Sequence, residues 1–284
     1  MANQIKTILL LGLLSSVLIG MGAWMGTGMM YLAIGMALVM NVGAYYFSDR
    51  MVLAMHGAKE LSPEEAPALH AMVGELAQRA GIPKPRVFRI ADPSPNAFAT
   101  GRNPAHGVVA VTDGIVELLS PRELRGVIAH ELAHIKNRDI LVATVASVMA
   151  AAISSVASML QWGMLLGSSD EEEEGGGWGG LLMAFLAPMI AMLLQFAVSR
   201  SREYLADQTG AQISGDPEAL ASALARLERG AAYEPMAQPS PATASLFIVN
   251  PFAGAEGVTR LFSTHPATAE RIRRLLALQG RMVA

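Results

Sequence analysis

The chain reads His130-Glu131-Leu132-Ala133-His134 near its middle, and this stretch narrows the choice of fold more than any other. On a helix, side chains four residues apart lie on one face, so both imidazole rings can contact the same ion. The glutamate between them can reach the neighbouring position, which a water molecule would occupy. The pattern therefore predicts a helix that carries a metal site.

The third ligand must be a histidine or a carboxylate, because the chain has no cysteine. A catalytic zinc usually takes three protein ligands and leaves a fourth position open. The best candidate is Glu203, in the stretch Ser199-Arg200-Ser201-Arg202-Glu203-Tyr204-Leu205-Ala206-Asp207. Asp207 lies one turn further on the same helix face, where it could accept the free ring N–H of a ligand histidine and fix its tautomer. Alternatively, both acids are surface residues that pair with Arg200 and Arg202.

This ligand set predicts one Zn²⁺ ion per chain at His130, His134 and Glu203, although geometry alone would admit other divalent ions. Zinc would polarise a water molecule and a substrate carbonyl. Glu131 would then take the proton of that water and later deliver it to the leaving amine. The expected chemistry is peptide-bond hydrolysis.

Two further stretches could assist this chemistry. His265, in Ser263-Thr264-His265-Pro266, could donate a hydrogen bond to the oxyanion of the tetrahedral intermediate, or it could lie beside a helix start without a catalytic role. The residues Asn96, Ala97, Phe98 and Ala99 begin the stretch that ends at Gly101. They could form a sheet edge that binds an extended peptide through its backbone, or a purely structural strand.

Composition indicates a membrane protein, since 52% of the residues are hydrophobic and only 16% are charged, with a mean hydropathy of +0.37. Four apolar runs are long enough to cross a bilayer: Thr7 to Trp24, Met29 to Phe47, Ile140 to Leu166, and Leu181 to Val198. The first run resembles a signal peptide, but a second follows it closely, so we expect a retained hairpin. The lipid bilayer is therefore an expected partner.

The loops between these runs predict the orientation of the chain. All 21 basic residues lie outside the two short loops that join paired runs. Lys and Arg accumulate on the cytoplasmic side, so both termini and all candidate catalytic residues are expected there. The acidic, glycine-rich segment 167–180 is then a solvated loop on the outer side. The net charge of −3, without a basic tract, gives no reason to expect nucleic acid as a partner.

Local signals predict the elements around the metal site. Capping patterns at Ser62-Pro63-Glu64-Glu65 and at Ser120-Pro121-Arg122-Glu123 predict helix starts, and Gly81 is expected to end the first of these helices. Strands are predicted at Arg86 to Ile90, Ala97 to Thr100 and Val108 to Thr112. Two further helices are predicted at Asp216 to Arg229 and at Pro266 to Leu278, and a loop or lid at Ala231 to Gly257.

The metal-bearing helix is expected to run straight into the third apolar run, because no proline interrupts the chain from Arg122 to Leu166. His134 would lie about 9 Å from the start of that run, and Glu203 about 7.5 Å from the end of the fourth. The two ligand-bearing helices would leave the membrane side by side. The site would then lie close to the cytoplasmic membrane surface.

Taken together, these stretches resemble the HtpX-type membrane zinc endopeptidases, which are related to the CaaX prenyl proteases. The resemblance rests on the paired apolar runs and on the segments 96–101, 130–139, 199–207 and 263–272. It implies zinc at His130, His134 and Glu203, catalysis by Glu131 and a supporting role for Asp207. It also implies a cytoplasm-facing site in a bacterial inner membrane, and proteolysis of misfolded or damaged membrane proteins during envelope stress.

We therefore expect a mostly α, integral membrane protein with four transmembrane helices and a zincin-type α+β catalytic domain that carries a small β-sheet. The expected organisation is a transmembrane hairpin (1–48), a first part of the cytoplasmic catalytic domain (49–139), a second hairpin with its outward loop (140–198), and a second part of the domain (199–284). Substrates would be membrane proteins or unfolded polypeptides. The sequence predicts no particular oligomer.

Two other functions remain open at this point. A prenyl-dependent processing peptidase would need a large intramembrane chamber, for which four spans appear few. A non-catalytic scaffold would use zinc only to organise its fold, with a closed site in which His265 is the fourth ligand. Glu131 distinguishes an enzyme from a scaffold, since only an enzyme requires a glutamate beside the metal.

Overall fold

The computed structural model describes residues 2–24, 26–151, 154, 200–236, 242–249 and 266–282. The chain begins with two long helices, α1 (Ala2–Trp24) and α2 (Thr27–Met55). They pack against each other as a hairpin, in which the Asn41 amide donates to the Ser15 hydroxyl at 2.9 Å. A Cβ at Gly22 would lie 2.7 Å from the Ala33 methyl group, so only glycine permits this close approach.

Both hairpin helices are long and apolar enough to cross a membrane, as predicted for the first two apolar runs. Only about a fifth of each apolar window is buried by protein, and large apolar side chains point outward. The third run begins as a shorter apolar helix, α6 (Ile140–Ala151). The remainder of that run, the fourth run and the acidic loop 167–180 lie outside the described residues.

A small mixed sheet follows the hairpin. Its strands, in the spatial order β1-β2-β4-β3, are β1 (Lys59–Glu60), β2 (Arg86–Ile90), β3 (Ala97–Thr100) and β4 (Val108–Thr112). The pair β2 and β4 is parallel, and β1 and β3 are antiparallel to their neighbours. The three strands predicted from the sequence are confirmed at the same boundaries, and β3 lies at one edge of the sheet.

The other described helices surround this sheet and share a core with it. They are α3 (Pro67–Ala80), α4 (Asp113–Leu118), α5 (Pro121–Asn137), α7 (Arg200–Ser214), α8 (Pro217–Tyr233) and α9 (Thr268–Met282). Helix α5 lies at the centre and packs against α7 and α8. A Cβ at Gly126 would lie 2.8 Å from the Leu220 backbone, so α5 and α8 touch almost directly.

Several predicted boundaries are wrong. The last helix, α9, runs from Thr268 to Met282 instead of from Pro266 to Leu278. Helix α3 begins at Pro67 instead of Ser62, because a residue before proline avoids helical angles and Ala66 adopts φ −139° and ψ 61°. Ser62 and Glu65 still exchange the hydrogen bonds of a capping box, but across an isolated turn. The segment expected to be a loop from Ala231 onward continues α8 to Tyr233.

The predicted continuous helix through α5 into the third apolar run is also wrong. Helix α5 ends at Asn137, and Arg138 adopts left-handed angles of φ 57° and ψ 38°. The Arg138 N–H bonds to His134 and Ile135 carbonyls, which closes the helix end. Helix α6 then starts after Asp139. No glycine or proline marks this break, which is why the sequence pattern did not predict it.

Candidate metal centre

Helix α5 is fixed at its first turn by a capping box. The Ser120 hydroxyl accepts from the Glu123 N–H, and the Glu123 carboxylate accepts from the Ser120 N–H at 2.9 Å. The same carboxylate accepts from Ser222 at 2.7 Å and from Arg226 at 2.8 Å, both on α8. Burial acts to raise the pKa of Glu123, but these hydrogen bonds and Arg226 outweigh it and lower the pKa to about 2. The helix that carries the motif is thereby tied to its neighbour.

The structure brings the three predicted ligands together at the contact between α5 and α7. His130, His134 and Glu203 each offer one ligand atom, and these atoms lie within 4.8 Å of one another. The two imidazole Nε2 atoms are 3.1 Å apart, and Glu203 oxygens lie 3.8 Å from Nε2 of His130 and 3.6 Å from Nε2 of His134. Glu203 is buried, which contradicts the alternative that it is a surface acid.

Close packing of the two helices produces this arrangement. A Cβ at Gly210 of α7 would lie 2.9 Å from the Cα and N atoms of His130 on α5. Any larger residue would therefore push the two helix backbones apart. Glycine at this position lets Glu203 approach both histidines.

A carboxylate lies behind each histidine, on the side away from the shared ligand space. Nδ1 of His130 is 3.0 Å from Oδ1 of Asp207, and Nδ1 of His134 is 3.1 Å from Oδ2 of Asp139. Such contacts orient ligand imidazoles and make them better donors to a metal. Asp207 lies where the sequence predicted it. Asp139 is not among the predicted site residues, but it is buried and contacts His134.

Arg271 of α9 completes the buried network and was missed from the sequence. Its guanidinium donates to both Asp207 oxygens, at 2.9 and 2.7 Å, and to the Ile248 carbonyl at 3.3 Å. Its side chain is 2% exposed. Burial alone would raise the pKa of Asp207, but Arg271 outweighs it and lowers the pKa to about 2. The one signal in the sequence that separates Arg271 from Arg273 and Arg274 is that it lies inside the segment 263–272, on which the family resemblance partly rests.

The remaining ionisable groups respond to the same buried surroundings. Burial raises the pKa of Glu131 to about 7, and the charge of Glu203 adds to this effect. Burial also lowers the pKa of His130. For His134 the burial effect is overcome by the charge of Asp139, and its pKa rises to about 10. The centre thus contains one carboxyl group with a raised pKa, one imidazole with a lowered pKa and one imidazole with a raised pKa.

The cavity beside the ligands is small, at about 40 Å³. That volume holds water-sized groups but no peptide. Residues from β3, α5, the start of α6 and the segment 245–248 line it. Arg202 also lines it, and both terminal guanidinium nitrogens of Arg202 are buried without a hydrogen-bond partner in the described part of the chain. His265 lies outside the described residues.

The stretch predicted as a substrate edge is covered by another segment of the chain, residues 242–249. The Ile248 N–H donates to the Ala97 carbonyl at 3.1 Å. The Asn96 side chain bonds to both backbone groups of Val249, donating at 2.9 Å and accepting at 3.3 Å. The ring of Phe247 lies edge-on to Phe98 at 5.2 Å. The segment was expected to be part of a loop or lid, and it lies where an added strand would bind.

Comparisons with known proteins agree with this geometry. The model of Peptidase family M48 matches residues 63–279, more than half of the chain. The Protease HtpX homolog of Syntrophobacter fumaroxidans is 51% identical over 284 residues, which cover 98% of this chain and 100% of that one. The Protease HtpX homolog of Pyrococcus furiosus is 52% identical over 273 residues, covering 95% and 94%.

A solved structure is also similar at a greater distance. The crystal structure of S. mikatae Ste24p matches with a TM-score of 0.49 and 17% identity, covering 96% of this chain. This chain spans 65% of the length of that protein.

Proposed function

Because the chain belongs to peptidase family M48, and is a metalloprotease, we propose that its metal centre holds zinc and cleaves internal bonds of unfolded or damaged membrane polypeptides. The observation that carries this proposal is the donor set of two imidazole nitrogens and one carboxylate within 4.8 Å. Both imidazoles also have a carboxylate behind them. Three ligands of this kind match a catalytic zinc, which keeps one position open.

The residues fit zinc better than a hard cation. Two nitrogen donors and one oxygen donor favour zinc, whereas Mg²⁺ and Ca²⁺ take mainly oxygen ligands. The contacts of Asp207 and Asp139 with Nδ1 leave both Nε2 atoms directed at Glu203 and at the small cavity. A bound zinc ion would supply the Lewis acidity that activates water and polarises the substrate carbonyl.

The side chains have separate roles in the proposed reaction. Glu131 takes a proton from the attacking water and returns it to the leaving amine. Asp207 and Arg271 hold His130 in place, while Asp139 holds His134. Arg202, which lines the cavity and whose terminal nitrogens are buried, stabilises the negative charge that develops on the carbonyl oxygen. His265 stays a second candidate for that role.

The substrate would bind as an added strand along β3, at Asn96, Ala97, Phe98 and Ala99. This strand has a sheet neighbour, β4, on one side only, and its other side faces the segment 242–249. Ile248 already makes one backbone contact that a peptide would make there, and Val249 bonds to the Asn96 side chain. The segment must therefore move away before a polypeptide can reach the ligands.

We also propose that the hairpin of α1 and α2 anchors the enzyme in the plasma membrane, the inner membrane of a bacterium. The support is that side chains such as Leu9 and Val39 are 60% and 72% exposed on helices long enough to span a bilayer. The second predicted hairpin and the cytoplasmic orientation remain part of this proposal. The catalytic domain would then be assembled from residues 49–139 and 199–284. A membrane-anchored site favours membrane proteins as substrates, in protein quality control under envelope stress.

The test is degradation of casein by the detergent-purified chain, with and without added zinc, compared with Glu131→Gln. Metal analysis must show that the variant binds as much zinc as the wild type. Glu234→Gln, which changes an exposed glutamate, is the matched control and should cleave normally. We expect zinc-dependent cleavage that the Glu131 variant loses.

Two results would contradict the proposal. If Glu131→Gln cleaves casein as fast as the wild type, Glu131 is not the base. If no version cleaves casein although zinc is bound, a scaffold or a peptidase restricted to a narrow substrate becomes the better reading.

A further inference from the structure

A second, larger cavity lies between the helical hairpin and the catalytic domain. Its volume is about 890 Å³, which is within the range of small-molecule sites. On one side it is lined by Thr7, Ile8 and Leu11 of α1 and by Tyr45 of α2. On the other side it is lined by the end of α5 and by the turn that follows β3. Of the described residues that line it, Ile140 alone also lines the small cavity beside the metal ligands.

The side chains that line this cavity are rich in positive charge. Arg102, Lys136 and Arg138 all contribute, and none of the described residues that line it is a carboxylate. Within the described ranges, neither Lys136 nor Arg138 forms an ion pair, although most other arginines near the domain surface do. Three cations around one cavity repel each other unless an anion neutralises them. The cavity therefore fits a ligand that carries negative charge.

The hairpin side of the same cavity is apolar. Ile8 is 69% exposed, and Leu11 lies one turn further along α1. Tyr45 lies near the cytoplasmic end of the proposed span, and Arg102 stacks over the ring of its neighbour Tyr46 at 5.4 Å. Tyrosines are enriched at this depth of a membrane, where headgroups meet acyl chains. A ligand that fills both halves needs an anionic head and an apolar tail.

We propose that this cavity binds one anionic phospholipid, with its phosphate against Lys136 and Arg138 and its acyl chains along Ile8 and Leu11. Basic pockets beside spanning helices on the cytoplasmic side bind such headgroups. The proposal rests on the membrane anchoring proposed above. Free phosphate shares the headgroup chemistry, but it would leave the apolar half of the cavity unused.

The experiment is native mass spectrometry of the full chain in a neutral detergent, titrated with phosphatidylglycerol and, separately, with phosphatidylcholine. Each cation near the membrane surface contributes about a fivefold gain in affinity for an anionic lipid, so the three cations give a preference on the order of 150-fold. Lys136→Gln combined with Arg138→Gln should lower that preference to about fivefold, the share of Arg102. Lys59→Gln combined with Arg229→Gln changes net charge equally at exposed sites outside the cavity and should keep the full preference.

Arg138 adopts left-handed backbone angles, so a loss of binding in the double variant has two explanations, a lost charge or a disturbed fold. A further variant at a position without that constraint separates them. Arg102→Gln lies outside α5 and should weaken phosphatidylglycerol binding about fivefold. The proposal is overturned if the wild type binds both lipids equally, or if the Lys136 and Arg138 variant keeps the full preference. It is also overturned if inorganic phosphate displaces the lipid at matched concentration, because the site then recognises free phosphate.

Two further measurements separate this proposal from the proposal of membrane anchoring on which it rests. Casein cleavage reports the peptidase and does not depend on the lipid result. Extraction of wild-type membranes with alkaline carbonate reports anchoring. Release of the chain by carbonate would refute the membrane anchor, whereas retention with no lipid preference would refute the cavity alone.

Discussion

Removing the Phe247 side chain should open the metal centre. Phe247 is buried, and its ring contacts Phe98 at 5.2 Å and the His56 ring at 5.0 Å, both edge-on. These contacts hold the segment 242–249 over β3 and leave a cavity of only about 40 Å³ beside the ligands. If substrate binds only after this segment leaves, weaker docking raises the fraction of open enzyme.

The size of the effect follows from the buried ring. Truncating a packed phenylalanine to alanine costs about 3 to 5 kcal/mol. A loss of about 3 kcal/mol in the docked state alone would raise the open population by about two orders of magnitude, since 1.4 kcal/mol corresponds to a factor of ten. As long as the closed form dominates, kcat/KM rises by the same factor for Phe247→Ala. Zinc affinity should stay unchanged, because Phe247 is not a ligand.

The assay is cleavage of fluorescently labelled casein at low substrate concentration, with zinc content measured on each sample. Leu76→Ala removes a fully buried side chain from a different hydrophobic cluster and serves as the control for general loosening. It should lower thermal stability without raising kcat/KM. The reasoning is refuted if Phe247→Ala retains its zinc and fold but its kcat/KM is unchanged or lower, because the segment would then be part of the working site.

Three other changes test the centre itself. Asp207→Asn should weaken zinc binding about 10- to 100-fold in a chelator competition, because His130 loses its orienting carboxylate; unchanged affinity would contradict that role. Arg202→Gln should lower kcat about 100-fold with little effect on zinc content, whereas the exposed neighbour Arg200→Gln should not, and equal effects would refute the oxyanion role. Glu123→Gln should lower the free energy of unfolding by about 2 kcal/mol in thermal or denaturant unfolding. Because the folded-state pKa of Glu123 is lowered from 4.5 to about 2, its contribution to the free energy of unfolding is full above pH 4.5 and is lost as the pH falls towards 2. A stability difference between wild type and variant that does not change with pH would contradict this.

The sequence predicted those parts of the structure that depend on local patterns. The four-residue spacing placed His130 and His134 on one helix face, and the capping pattern at Ser120 located the start of that helix. The turn signals around β3 gave its boundaries. Glu203 was also predicted as the third ligand, because the absence of cysteine limited the choice to histidines and carboxylates and Asp207 lies one turn further on the same helix face. Each of these inferences needs only neighbouring residues or a known number of ligands.

The sequence did not predict contacts that depend on tertiary packing. Arg271 pairs with Asp207 across 64 residues of chain, and Val249 bonds to Asn96 across 153. No periodicity connects such pairs. The start of α3 was also missed, because the effect of Pro67 on Ala66 outweighed a capping pattern four residues earlier.

The break after Asn137 is better explained by the metal centre than by the approach to the membrane. On an uninterrupted helix, a residue five positions after His134 would lie about 140° around the axis and about 7.5 Å further along, so its carboxylate would point away from the imidazole. The left-handed residue Arg138 turns the chain back, and Asp139 comes within 3.1 Å of Nδ1 of His134. This conformation is sterically costly for a residue other than glycine, and Arg138 also lines the cavity beside the hairpin. One turn of backbone thus supplies a carboxylate to the candidate metal centre and a cation to the cavity beside the hairpin.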